Sequence, residues 1–112
     1  MPKSITRTYS RYSRDAGALL GALIRERRKE RKLTAQELSD RAGISRGMLQ
    51  RIEKGNLKCE IGVVFEVATI VGIPLFGTDE TGLTNYLGHT REKLALLPKS
   101  IRRSSKTVND DF

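Results

Sequence analysis

Arg46, Gln50 and Arg51 lie close together in the segment SRGMLQRIEKG (45–55). A guanidinium can grip O6 and N7 of guanine with two hydrogen bonds, and a glutamine amide can grip N6 and N7 of adenine in the same way. On a helix, Arg46, Gly47, Gln50, Arg51 and Lys54 lie opposite Leu49 and Ile52. The polar set therefore faces outward when the leucine and isoleucine face a core. Arg46 stands at the N-terminal end, the part of such a helix that comes nearest the base edges. Gly47 lets the backbone approach a surface but reads no base, and Met48 fits either the core, the favoured reading, or a thymine-methyl contact.

Other chemistries find few groups to use. His89 is the only histidine and Cys59 the only cysteine, so a zinc site or a Cys/His pair is short of ligands and of supporting groups. No glycine-rich phosphate loop is present. The carboxylate pairs Asp79–Glu80 and Asp110–Asp111 fall at a helix start and in a polar tail, with nothing to tune them. We expect no enzymatic activity, no metal and no cofactor. Twenty-one Lys+Arg against 13 Asp+Glu give a net charge of +8, which favours polyanionic partners and above all nucleic acid. A lone cysteine excludes an internal disulfide and fits a reducing compartment. No apolar run approaches the roughly 18 residues of a membrane span, and the basic N-terminus lacks a signal core. The expected location is cytoplasmic.

The elements that must position the polar face are legible in LTAQELSDRAGISRGMLQRIEKG (33–55). Thr34 with Glu37 fits a capping box, so a helix should begin at Ala35, with Leu33 and Leu38 as its hydrophobic staple. Ala35, Leu38 and Ala42 mark its inner face. Gly43 supplies a positive-φ turn, Ser45 caps the next helix, and Gly55 stops it. Two capped helices around a three-residue turn are a helix-turn-helix.

This stretch resembles the helix-turn-helix of the Xre/Cro-like repressors, with Ser39, Gly43, Leu49 and Ile52 at the small, turn and buried positions. The likeness extends back through GALIRERRKERK (21–32) and forward through IGVVFEVATIVGIPL (61–75). It departs at Ala35, where the family usually carries the glutamine that here follows as Gln36. The resemblance implies an all-α, five-helix domain that binds double-stranded operator DNA, with Arg51 joining Arg46 and Gln50 as base readers. It also implies a partly buried tie between Arg28 and Glu53. Thr34, Gln36, Ser45, Lys54, Asn56 and Lys58 are the expected phosphate contacts, aided by two helix N-termini.

Taken in order, residues 1–14 carry Lys3, Arg7, Arg11 and Arg14 without an acidic residue and read as a disordered basic arm. Residues 15–97 read as the DNA-binding and dimerisation domain. Ser13 or Asp15 caps its first helix, which runs to about Arg31 with a stripe of Leu19, Leu20, Leu23 and Ile24. Arg25 to Lys32 hold six basic residues against two glutamates, a solvated face with Arg28 as its exception. A fourth helix has Glu60 in its first turn and a core stripe of Ile61, Val64, Phe65, Ala68 and Val71, ended by Gly72 and Pro74.

A fifth helix is expected over about residues 81–96. Its apolar set of Leu83, Tyr86, Leu87, Leu94 and Leu97 exceeds what a small core absorbs and predicts a homodimer. Residues 98–112 read as a flexible tail. The C-terminal LALLPKSIRR…VNDDF is similar to the ends of HipB-like antitoxins, which pair with HipA-like serine/threonine kinase toxins. That resemblance implies partner binding through Arg102, Arg103, Asp110, Asp111 and Phe112. Three readings follow: an autorepressor that is also an antitoxin, a free-standing phage-type repressor, and a protein-binding module that uses the fold without DNA.

Overall fold

A computed structural model of the chain describes residues 7–103, and all its regular structure among these is helical. The helices are α1 Arg11–Glu30, α2 Ala35–Ala42, α3 Arg46–Glu53, α4 Ile61–Ile70 and α5 Glu80–Leu96, with a short helical turn at Leu75–Gly77 before the last. The chain divides between Gly77 and Thr78 into two units.

In the first unit, α1 begins earlier than its polar segment promised. The Ser10 hydroxyl accepts from the Ser13 amide at 3.1 Å, so Ser10 is the cap in place of Ser13 or Asp15. Residues 11–14 are thus the first turn of a helix and not part of a disordered arm. Leu19 is exposed at 61%, while Ile24 is fully buried and Leu20 packs against the core. Gly21, together with Ile24, is buried in α1. Around Ile24 the core gathers Leu38, Leu49, Ile52, Val67, Ala68 and Val71. Each of the larger side chains contributes roughly 1.5–3 kcal/mol by leaving water. Within α4 the expected stripe holds at Val64, Ala68 and Val71, but Ile61 is 68% exposed and Val67 is fully buried in addition. Glu60 stands at the N-cap, with no side-chain cap bond, one place ahead of the first turn.

Local signals set α2 and α3. Thr34 Oγ1 accepts from the Glu37 amide at 3.0 Å, and Glu37 Oε1 accepts from the Thr34 amide at 2.8 Å, completing the capping box. Gly43 takes φ 68°, and the Ile44 amide then donates to the Ser39 carbonyl at 3.0 Å. Ser45 Oγ accepts from the Met48 amide at 3.1 Å. Ser39 is the buried polar residue, its hydroxyl donating to the Ala35 carbonyl at 2.7 Å, so it brings no orphaned group inside.

Glycine decides how α1 crosses the end of α3. A Cβ on Gly21 would lie 2.5 Å from the Ile52 carbonyl oxygen and 2.7 Å from that of Glu53. The Gly17/Gly21 pair therefore serves close backbone approach within the chain, with Gly17 against Leu57 and Gly55. Beside this crossing an apolar cleft of about 280 Å³ opens, with Leu20, Cys59, Val64 and Phe65 in its walls.

In the second unit, Asp79 Oδ1 accepts from the Gly82 amide at 2.8 Å and starts α5. No residue of α5 is buried, and Leu83, Tyr86, Leu87 and Leu94 all stay exposed. No helix among the described residues is long and apolar enough to cross a membrane.

Backbone atoms cannot yield as a side chain would, so Gly21→Ala must push α1 off α3. We expect a loss of about 2 kcal/mol or more, the cost of overpacking a tight contact, read as a lower urea midpoint. An unchanged midpoint would show that the two helices are not so closely held.

Candidate nucleic-acid interface

The outward face of α3 carries Arg46, Gln50 and Arg51, all exposed, while Leu49 and Ile52 hold the other side in the core. Met48 is half-buried and packs against that core, as a core residue should. A Cβ on Gly47 would meet only Arg51 Nη1 at 3.7 Å and Ser45 Oγ at 3.9 Å, so packing does not require glycine there. The absent side chain instead leaves the first turn of α3 free to approach another surface.

The scaffold behind this face is an ion pair. Arg28 Nε donates to Glu53 Oε2 at 2.7 Å and Nη2 to Oε1 at 3.1 Å, with the two side chains only 12% and 10% exposed. Arg28 Nη1 also donates to the Leu33 carbonyl at 3.1 Å. One guanidinium thus ties α1, the turn into α2 and the end of α3. The hydrogen bonds to Glu53 hold the Arg28 pKa above its ordinary value against an opposing loss of hydration.

Two more residues of the basic run are structural. Arg27 Nη1 donates to the Gly72 carbonyl at 3.0 Å and Arg31 Nη1 to the Ile70 carbonyl at 3.1 Å. Both satisfy the open C-terminus of α4, where cations are favoured by the helix dipole. Arg28 is therefore not the lone exception on a solvated face. Spacing along α1 could not reveal these roles, because the acceptors lie 45 and 39 residues away.

The phosphate candidates separate. Of them, Lys54 lines a groove of about 260 Å³ together with the base-reading candidates Arg46 and Gln50, with Ala35, and with Arg25, a residue given no individual role by the sequence reading. Gln36 is exposed, and its Nε2 donates to Asp40 Oδ1 at 2.8 Å along α2. Asn56 Oδ1 accepts from the Lys58 amide at 2.8 Å, a loop-shaping bond, and Asn56 lines the apolar cleft instead of the charged groove. The Thr34 and Ser45 oxygens serve as caps, and Lys58 is exposed in the loop after α3. Arg102 and Arg103 are exposed outside regular structure, while Asp110, Asp111 and Phe112 lie outside the described residues.

Residues 24–76 match the family model described as Helix-turn-helix. This segment is an Xre/Cro-like helix-turn-helix domain, with α2 and α3 as its paired helices and α3 in the position of the recognition helix. Domains of this class point to a DNA-binding transcriptional regulator. The match starts within α1 and ends before α5. No curated protein and no solved structure matches the chain.

Removing one partner of a pair this deeply placed strands a charge, so Arg28→Ala should cost about 3 kcal/mol. Chemical denaturation measures it, and a cost near zero would mean the pair is solvated in solution. A second test concerns Glu37, whose pKa is lowered chiefly by the hydrogen bond from the Thr34 backbone amide. A lowered native pKa stabilises the fold above the ordinary glutamate value, and this is lost as pH falls through the native value. Glu37→Gln keeps a capping-box acceptor without the titration, so its thermal melts should lose less stability on acidification than wild type.

Proposed function

We propose that the protein is a sequence-specific transcriptional repressor that binds its operator as a homodimer and occludes a promoter without chemistry. The observation that carries this reading is the exposed set Arg46, Gln50 and Arg51 on a helix fixed by the Arg28–Glu53 pair. A reading helix loses affinity when it can tilt, because base contacts require angstrom-level placement. The exposed leucines and Tyr86 of α5 support the dimer, since an apolar face of this length favours burial against a second copy. Two such copies would place their reading helices about one DNA turn, roughly 34 Å, apart on an inverted repeat.

We further propose that it acts as the antitoxin and operon autorepressor of a module with a HipA-like serine/threonine kinase toxin. Support for this part is the likeness of residues 94–112 to the ends of HipB-like antitoxins. Arg102 and Arg103 lie exposed and are accessible to a partner. Co-purification with the product of a neighbouring kinase-like reading frame tests it. A lack of association would leave a free-standing repressor.

DNA reading is tested by mobility shift on the chain's own upstream DNA against scrambled duplex. Arg46→Ala should weaken specific binding by about 1–3 kcal/mol and relax choice at one base pair. Arg46 is exposed, so its melting temperature should stay at the wild-type value. A variant that binds with wild-type strength and preference would remove Arg46 from the interface.

A further inference from the structure

We propose that Arg25 of α1 belongs to the nucleic-acid interface, where it seats a backbone phosphate together with Lys54 in the groove that the base-reading candidate Arg46 also lines. The inference rests on the reading of α3 as a DNA-binding helix and extends the contact surface to a third element.

The charge of the groove carries it. Four cations, Arg25, Arg28, Arg46 and Lys54, line about 260 Å³ of space, and Glu53 is the carboxylate among its lining residues. Arg28 already engages both oxygens of Glu53. Arg25, Arg46 and Lys54 are left, and among the described residues none has an ion-pair partner or a side-chain hydrogen bond. Three uncompensated positive charges converging on one concavity form a site whose missing component is an anion.

Arg25 also does nothing for α1 itself. Its neighbours three and four residues away are Gly21, Ala22, Arg28 and Lys29, so no acidic residue pairs with it along the helix and two like charges oppose it. Arg27, Arg28 and Arg31 each have a partner within the fold, whereas Arg25 faces the groove without one. Ala35 shapes the opposite wall. It is the first residue of α2, so the positive end of that helix's dipole lies beside the groove. A tetrahedral anion in this position would meet α1, α2 and α3 at once. A phosphate is the duplex group that a convergent set of Arg and Lys recognises without regard to sequence.

The experiment is a salt series of duplex binding by wild type, Arg25→Gln and Arg25→Lys, on upstream and scrambled DNA, with melting curves for each protein. Arg25→Gln should bind both duplexes roughly fivefold more weakly and lower the slope of log K against log salt by about 0.9, the signature of one lost phosphate contact. Arg25→Lys should restore the slope, and neither change should move the melting temperature, since Arg25 is exposed. A wild-type slope in Arg25→Gln would overturn the phosphate seat and leave the DNA reading intact. A loss confined to one base pair of the upstream site would overturn it in favour of base reading. Wild-type protein that shifts no duplex at any salt would overturn the DNA reading, and the seat with it.

Discussion

Arg28 and Glu53 give up much of their water to meet each other, and the placement of α3 depends on the result. Dehydrating two ions costs several kcal/mol each, and attraction offsets that only when geometry is good and the remaining donors are occupied. Both conditions hold here: two short bonds join guanidinium to carboxylate, and a third reaches the Leu33 carbonyl. Because the carboxylate belongs to the last residue of α3 and the carbonyl to the turn before α2, a shift of either helix would break the set. Hydrophobic contact alone would hold α3 less directionally. The backbone of Gly21 against the carbonyls of Ile52 and Glu53 adds a steric stop at the same crossing.

That arrangement divides one basic stretch into parts with different work. Arg28 locks α3, and Arg27 and Arg31 close the C-terminus of α4, so three positive charges are committed to the scaffold. The cost of packing cations together at the end of α1 is offset by their separate acceptors. Arg25, one turn earlier, lies on the groove side, where the charges of α3 and the positive end of α2 add to its own. A strongly basic balance thus has two origins in this protein, and only part of it faces outward as an attractive field for a polyanion.

Beyond Gly77, α5 obeys different physics. It has a good cap at Asp79, yet no buried residue, and its leucines remain exposed. A helix of this kind gains little from propensity and depends on a surface to cover its apolar side. In the proposed repressor that surface is a second copy, which would also set the spacing of the two reading helices. The helix-turn-helix match ends before this segment begins, so the reading unit and the proposed pairing unit are separable in the chain.

Much of the reading unit was determined by the sequence because its signals are local. The Thr34–Glu37 box, the positive φ at Gly43 and the Ser45 cap act over three or four residues, and the bounds of α2 and α3 follow from them. The outward position of Arg46, Gln50 and Arg51 follows from the same period, once Leu49 and Ile52 are placed inside. Helix α1 was harder: its first turn is Ser-, Tyr- and Arg-rich with no apolar period, and only the Ser10 cap marks its start. Tertiary structure alone decided which of several apolar residues go inside, excluding Leu19 and Ile61 and admitting Val67, because the partner surfaces come from other helices. It also turned Gln36 toward Asp40, gave Arg27 and Arg31 their distant carbonyls, and brought Arg25 to the groove of Arg46 and Lys54. A helical period tells which side a residue occupies, but what waits on that side is set by chain that returns from dozens of residues away.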